Sequence, residues 1–160
     1  MCGIFAIINQ DINNEICEAF KKGESRGPEY SHIQQINNNV FGFHRLAING
    51  LNTKSNQPFD IRNCILICNG EIYNYKQLAK DLDITLLTDS DCEIIIHLYK
   101  MFGIEYTLHI LDGVFAFVLY DKTNEHFYVS RDPYGVRPLF IGLYENSFYI
   151  ASDLKCIYPL

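Results

Sequence analysis

The second residue of the chain is a cysteine that the removal of Met1 would leave at the amino terminus. Cys2 would then carry a thiol with a pKa of about 8.5 and an α-amine with a pKa of about 7.7–8.0. An amine in that range can accept the thiol proton near neutral pH and later return a proton to a departing ammonia. The sequence therefore offers a nucleophile and its base in one residue. A chance cysteine in an apolar leader is the alternative that this segment alone leaves open.

Three further segments carry groups that suit an amide substrate. Arg45 ends an apolar run, Asn69-Gly70 follows another, and Asp91 stands where a helical pattern begins. An amide side chain beside the N–H of a residue without a Cβ suits an oxyanion hole. An arginine can bind a carboxylate, and an aspartate can bind an ammonium group. Glutamine has all of these features, so the four segments are consistent with a glutamine site.

Each of these segments also has an ordinary structural interpretation. On its own, Arg45 is better explained as a solvated arginine at a strand end. Asn69-Gly70 is a common hairpin turn, and Asp91 is a common helix N-cap. The spacing of the segments does not show that they meet in space, so these alternatives stay open.

Length, charge and hydropathy limit the class of protein. The 160 residues are enough for one domain with one substantial core. The net charge of −6 argues against nucleic-acid binding, which favours a basic surface. No apolar run is long enough to span a membrane, and residues 4–8 are too short for a signal-peptide core. We therefore expect one cytoplasmic domain with no nucleic acid and no membrane among its partners.

The six cysteines have no spacing typical of a metal site. No C-x-x-C pair occurs, and the five histidines are scattered. We therefore expect no metal. Strand alternation would place Cys64 and Cys68 on one face, where two reduced, buried thiols are the better interpretation.

The hydropathy pattern predicts strands and helices that could fix these groups. A strand directly after Cys2 would hold an otherwise frayed terminus in a sheet. The apolar strands show little alternation, which indicates sheets covered on both faces. We therefore predict two antiparallel sheets packed together and flanked by helices. The predicted strands are 3–8, 31–36, 40–46, 61–68, 114–120, 126–131, 139–144 and 148–151, and the predicted helices are 11–23, 75–82, 91–101 and 104–111.

Five motifs, in order along the whole chain, resemble the class II glutamine amidotransferase domain. Within that class they are similar to the N-terminal glutaminase half of glutamine-hydrolysing asparagine synthetase. The motifs are MCGI at 1–4, FHRLA at 43–47, CNGEIYN at 68–74, LDGVFAF at 111–117 and RDPYGVRPL at 131–139. The resemblance implies an α/β protein of the N-terminal nucleophile hydrolase type, a four-layer α/β/β/α sandwich of two antiparallel sheets.

The resemblance also implies the roles of individual residues. Cys2 would be the nucleophile, with Asn69 and Gly70 as the other catalytic groups. Glutamine would be bound by a larger set drawn from three segments, namely Arg45, Leu46, Ala47, Ile48, Asn49, Asn69, Gly70, Glu71 and Asp91. Two positions depart from the family pattern, because Ser25 stands where a histidine is usual and Asp153 where a glutamate is usual.

The implied activity is hydrolysis of L-glutamine to glutamate and ammonia through a γ-glutamyl thioester on Cys2. The ammonia would serve asparagine synthesis from aspartate by an ATP-dependent synthetase domain or subunit. No Ser-Gly-Gly pyrophosphate loop occurs in residues 1–160. We therefore expect that synthetase domain to be absent from this chain, which would form one glutaminase domain without a cofactor of its own. ATP and Mg²⁺ would act only in the absent domain, and a homodimer is left open.

Two other functions remain as alternatives. The chain could be a non-catalytic regulatory or assembly subunit of a synthetase, although such a subunit would not need the complete set of Cys2, Arg45, Asn69, Gly70 and Asp91. It could also be a hydrolase of other amides. Arg45 together with Asp91 favours a zwitterionic amino acid over that second alternative.

Overall fold

The computed structural model describes all of residues 1–160 and contains nine β-strands and three α-helices. The helices are α1 (Asn14–Lys21), α2 (Tyr75–Asp81) and α3 (Ile94–Ile110). The strands are β1 (Gly3–Ile8), β2 (Tyr30–Ile36), β3 (Asn39–Arg45), β4 (Phe59–Ile61), β5 (Cys64–Ile72), β6 (Gly113–Asp121), β7 (His126–Arg131), β8 (Phe140–Tyr144) and β9 (Ser147–Ala151). The eight predicted strands are present, and the additional one, β4, is a three-residue strand that pairs with β5.

The strands form two antiparallel sheets. The first has five strands in the order β2-β3-β1-β9-β8, and the second has four in the order β4-β5-β6-β7. Strand β1 lies at the centre of the first sheet, where Gly3 pairs with His44 of β3 and Phe5 pairs with Ala151 of β9. This pairing fixes the backbone directly after Cys2, as the sequence predicts.

The two sheets and the helices form four layers. Along β1, Ile4 and Ala6 pack between the two sheets, whereas Phe5 and Ile7 pack on the side of α1. On the other side of the molecule, α3 covers the outer face of the four-stranded sheet. The inner strands β1, β3, β5 and β6 are therefore buried on both faces, which explains why they are apolar without alternation, whereas the edge strand β8 is largely exposed. The predicted α/β/β/α sandwich is confirmed.

Helix α3 contains a break that the sequence pattern detects. Gly103 has φ of +80°, a conformation that glycine adopts without the steric cost of a Cβ. The pattern therefore predicts two helices, 91–101 and 104–111, where the structure has two helical segments joined at Gly103.

The prediction that β5 ends before Asn69-Gly70 is wrong. Strand β5 continues to Ile72, and Asn69 and Gly70 pair with Ala116 and Phe115 of β6. The preference of Asn-Gly for a hairpin turn is overridden because β6 supplies a partner along this whole stretch. A hairpin turn does precede β5, at Arg62-Asn63, where both residues have positive φ.

Other expectations about the chain can be compared with its side chains. All six cysteines are free, and Cys64 and Cys68 are buried together on the helix side of the four-stranded sheet. No group of three or more His, Cys, Asp or Glu side chains is placed to hold a metal ion. No helix combines the length and the apolar character needed to cross a membrane.

Candidate active site

The predicted site segments surround one pocket, which lies at the start of β1, at the ends of β3 and β5 and at the helical turn Asp91–Glu93 before α3. Every predicted site residue lines this pocket except Ala47, whose N–H donates to the carboxylate of Glu29 at 3.2 Å. The lining residues are Met1, Cys2, Phe43, Arg45, Leu46, Ile48, Asn49, Ser55, Gln57, Cys68, Asn69, Gly70, Glu71, Ser90, Asp91, Cys92 and Arg137. The fold thus brings together residues that are far apart in the sequence.

Cys2 is held at the pocket by its backbone and by its thiol. Its carbonyl accepts a hydrogen bond from Nε of Arg26 at 3.0 Å, and its Sγ lies 3.4 Å from both the backbone N and the backbone O of Leu46. Burial raises the pKa of the Cys2 thiol, although the Leu46 N–H and nearby positive charges act in the opposite direction. The thiol is therefore protonated at neutral pH and needs a base to become a nucleophile.

Asn69 presents an unused donor at the pocket. Its side chain is buried, with 1% of the residue exposed, and Nδ2 has no hydrogen-bond partner in the protein. Leaving a buried amide group unpaired costs about 1–3 kcal/mol. Such a group is rare in folded proteins and points to a ligand or a reacting group as its partner.

The backbone N–H of Gly70 faces the side of β5 opposite to β6. The N–H groups of Cys68 and Ile72 donate away from β6, to the side chains of Gln57 and Asp91. Because alternate residues of a strand present their N–H groups to the same side, that of Gly70 points between these two side chains. A Cβ at Gly70 would lie 2.6 Å from the carbonyl oxygen of Val114, so only glycine permits this close approach of β5 and β6.

Arg45 is not a solvated strand-end arginine, because only 7% of the residue is exposed. Its Nη1 donates to the carbonyl of Asn52 at 3.1 Å and to the side chain of Asn56, and its Nη2 donates to the carbonyl of Gly50. These bonds hold the loop of residues 46–56 around the guanidinium, at the edge of the pocket.

Asp91 is not the N-cap of the helical turn that follows it, since Ser90 fills that role by accepting from the N–H of Cys92. Asp91 is buried, and its Oδ2 accepts from the N–H of Ile72 at 2.7 Å. Burial raises the pKa of Asp91, while its hydrogen bonds, including one from Asn49, act to lower it. An ammonium group in the pocket would compensate the cost of burying this carboxylate.

Three residues of the site were not predicted from the sequence. The side chain of Gln57 donates to the carbonyl of Cys68 and accepts from its N–H. It thereby makes the two hydrogen bonds that a neighbouring strand would otherwise make at this position of β5. Arg137 pairs with Glu71 at 3.2 Å, and Arg26 holds the carbonyl of Cys2. Gln57 lies in a polar stretch without periodicity, so no pattern indicated it. Arg137 lies within the RDPYGVRPL motif, which was the available signal.

The two departures from the family pattern lie close together. Nζ of Lys155 is 3.4 Å from Oγ of Ser25 and 3.3 Å from the carboxylate of Asp153. Ser25 does not line the pocket, but it directly precedes Arg26, which contacts Cys2. Ser25 and Asp153 therefore lie outside the pocket, next to the segment that contacts the backbone of Cys2.

Comparison with known proteins agrees with this geometry. A family model described as a glutamine amidotransferase domain matches residues 1–160. The chain is 41% identical to asparagine synthetase [glutamine-hydrolyzing] of Rattus norvegicus and 40% identical to that of Homo sapiens, in each case over 100% of this chain and 30% of the relative. The chain thus spans about a third of the length of these relatives.

A solved structure shows the same fold. The chain superposes on glutamine phosphoribosylpyrophosphate amidotransferase from B. subtilis with a TM-score of 0.82, over 98% of this chain and 43% of that one, at 23% identity. At this identity the likeness concerns the fold alone. The match of the family model over the full chain and the identity to the asparagine synthetases concern the sequence itself. The chain therefore belongs to the glutamine amidotransferase domain family, on the branch similar to glutamine-hydrolysing asparagine synthetase.

Proposed function

We propose that this chain hydrolyses L-glutamine to L-glutamate and ammonia, with Cys2 as the amino-terminal nucleophile. The observation that carries the proposal is the unpaired, buried Nδ2 of Asn69 in the same pocket as the Cys2 thiol. A donor kept without a partner beside a nucleophile is available for an oxyanion that exists only during the reaction.

In the first step, the α-amine of Cys2 accepts the thiol proton and the thiolate attacks the side-chain carbonyl carbon of glutamine. The carbonyl oxygen becomes an oxyanion, which accepts hydrogen bonds from Nδ2 of Asn69 and from the N–H of Gly70. Collapse of this intermediate breaks the C–N bond, and the Cys2 ammonium gives its proton to the departing ammonia. The product that remains on Cys2 is a γ-glutamyl thioester.

In the second step, water attacks the thioester carbonyl while the free α-amine of Cys2 accepts a proton from it. The same two donors hold the second oxyanion, and glutamate leaves as the thiol regains its proton. One base therefore acts in both steps, which explains the need for an amine with a pKa near neutrality.

Substrate recognition would use the charged groups on two sides of the pocket. The Asp91 carboxylate suits the α-ammonium of glutamine, and Arg45 with the 46–49 backbone suits the α-carboxylate. Support comes from the burial of the Asp91 carboxylate, because a buried charge needs a partner. The Nη atoms of Arg45 already donate within the 46–56 loop, so its role at the pocket edge rests on its charge. Ala47 would contribute through the loop, since its side chain does not line the pocket.

We expect Asp91→Asn to weaken glutamine binding while the fold is retained. The asparagine oxygen can still accept from the N–H of Ile72, but the charge that faces the ammonium is lost. Loss of one partner of a charged hydrogen bond costs about 1.5–3 kcal/mol, which corresponds to a decrease of about ten- to hundred-fold in kcat/KM, expressed mainly in KM. Steady-state kinetics will measure this decrease. Asp60→Asn, at an exposed ion pair with Lys122, is the matched control, and an equal effect of both variants would contradict the assignment.

The ammonia would pass to a synthetase domain or subunit that makes asparagine from aspartate, in line with the names of the relatives. ATP and Mg²⁺ would act in that synthetase, and residues 1–160 would need no cofactor for glutamine hydrolysis. A cytoplasmic location stays a prediction, and a homodimer stays open.

The test is ammonia release from L-glutamine without ATP, by a chain whose Cys2 terminus is verified by intact mass. We expect hydrolysis of L-glutamine and none of N-acetyl-L-glutamine, which lacks the ammonium group. Hydrolysis of both at similar rates would favour a broader amide hydrolase. Absence of any hydrolysis would favour the non-catalytic subunit.

A further inference from the structure

Glu93 is a fully buried carboxylate that does not line the pocket. It is 0% exposed and lies two residues after Asp91, at the end of the short helical turn that leads into α3. Its Oε1 accepts from the N–H of Leu87 at 2.7 Å and from Nε2 of His97 at 2.9 Å, and its Oε2 accepts from the N–H of Thr88 at 2.6 Å. Both carboxylate oxygens are therefore used, and two of the three donors belong to the loop before Asp91.

Glu93 carries its charge at neutral pH. Burial alone would raise its pKa, but the hydrogen bonds from His97, Leu87 and Thr88 outweigh that effect and lower the pKa below its usual value. A buried charge is retained in a protein only when it is well paired. The carboxylate is thus a strong acceptor at a fixed place, and the backbone of residues 87–88 is tied to it.

The loop that Glu93 holds connects the two sides of the pocket. Directly after Thr88, the carboxylate of Asp89 accepts from the side chain of Asn52, whose carbonyl in turn accepts from Arg45. Asp91 follows two residues later, with its carboxylate at the pocket. A displacement of residues 87–88 would therefore act on both charged sides of the pocket.

We propose that Glu93 is a positioning residue for glutamine binding. It clamps the backbone of residues 87–88, and it thereby holds Asp89 against Asn52 and keeps Asp91 at the pocket. The proposal rests on the proposed function as far as it concerns glutamine. Because Glu93 does not touch the pocket, it acts through Asp91 and the 46–56 loop and not on the reacting atoms. Its loss should affect KM much more than kcat.

Asp121 provides a matched control for a structural role. It is also a buried carboxylate, with 4% of the residue exposed, and it accepts from Tyr99, Lys100 and the N–H of Thr123 at 2.8–2.9 Å. Asp121 also contacts α3, but it does not line the pocket, and none of these hydrogen bonds involves residues 87–91. Loss of its charge should reduce stability without an effect on the pocket.

The experiment compares Glu93→Gln with Asp121→Asn in the full chain. Whichever way the glutamine amide is turned, its NH₂ group replaces one acceptor of a loop N–H. We expect KM for glutamine to rise about tenfold in Glu93→Gln with kcat within about twofold of the wild type, and KM to stay unchanged in Asp121→Asn. Backbone hydrogen exchange at residues 87–91 should become faster in Glu93→Gln only.

Two results would overturn the proposal. One is unchanged exchange at residues 87–91 in a folded Glu93→Gln variant, because the clamp would then not exist. The other is an equal rise of KM in both variants, because the effect would then be general destabilisation. If the wild type hydrolysed no glutamine, the proposed function would be contradicted, and the exchange measurement would still support or overturn the clamp.

Discussion

Cys2→Ala is expected to abolish ammonia release from glutamine, which is the largest effect of any single substitution in this chain. The substitution removes the nucleophile and leaves the α-amine in place. Cys68 and Cys92 also line the pocket, but both are buried, and the pKa of Cys92 is raised well above its usual value by its contact with Cys68 and by burial. Cys92 is therefore protonated near neutral pH. Neither thiol belongs to the amino-terminal residue, so neither has an adjacent α-amine to accept its proton and neither can replace Cys2.

The measurement is the rate of ammonia release, with thermal unfolding to show that the variant is folded. Cys2→Ser should leave little activity, because a hydroxyl is a much weaker acid than a thiol. Cys68→Ala is the matched control, since it removes a neighbouring thiol from the same pocket and should retain glutamine hydrolysis. Full activity of Cys2→Ala would show that another group is the nucleophile.

A chain that retains Met1 tests the second half of the mechanism. Its Cys2 thiol is intact, but the nitrogen of Cys2 is then part of a peptide bond and cannot act as a base. Met1 also lines the pocket in the structure, so its retention places a side chain where the substrate would bind. Both effects predict an inactive enzyme. Full activity with Met1 present, confirmed by intact mass, would remove the terminal amine from the mechanism.

The sequence predicts the layers from local hydropathy patterns, and it predicts most of the pocket through the resemblance to a family. Strand β1 is a continuous apolar run, and a run buried on both faces is expected in the centre of a covered sheet. The motifs around Cys2, Arg45 and Asn69 each occupy one short segment, and Asp91 stands at the start of a helical pattern. Their assignment therefore needed only residue types and order along the chain.

The remaining features depend on contacts between distant segments, which no local pattern contains. Asn69-Gly70 has the composition of a turn, and only the presence of β6 keeps it in a strand. In the sequence, Gln57 is one polar residue in a turn-rich stretch, and only the fold shows that its side chain binds the backbone of Cys68. In the sequence, Glu93 is a charged residue at the start of a helical pattern, where an exposed side chain is expected. In the structure it is completely buried. Tertiary pairing decided each of these three cases.

Asn69→Ala is expected to lower kcat by about a hundred- to a thousandfold, the effect of removing one donor from an oxyanion hole. KM should change little, because the oxyanion exists in the transition state and not in bound glutamine. Stability should respond differently from activity. Nδ2 of Asn69 has no partner in the protein, so its removal eliminates an unpaired buried donor and breaks no hydrogen bond of that atom. We therefore expect the free energy of unfolding to decrease by no more than about 1 kcal/mol.

Asn74→Ala is the control that separates catalysis from structure. Both polar atoms of the Asn74 side chain are paired, because Nδ2 donates to the carbonyl of Ile110 at 2.8 Å and Oδ1 accepts from the N–H of Asp112 at 3.1 Å. Its loss should cost about 1–3 kcal/mol of stability and leave kcat unchanged. Asn69→Ala should thus lower kcat with little loss of stability, and Asn74→Ala should lower stability without a change in kcat. Steady-state kinetics and denaturant unfolding measure the two effects. If Asn69→Ala instead raised KM at constant kcat, or lost as much stability as Asn74→Ala, Asn69 would be a structural strand residue and the oxyanion would need another donor.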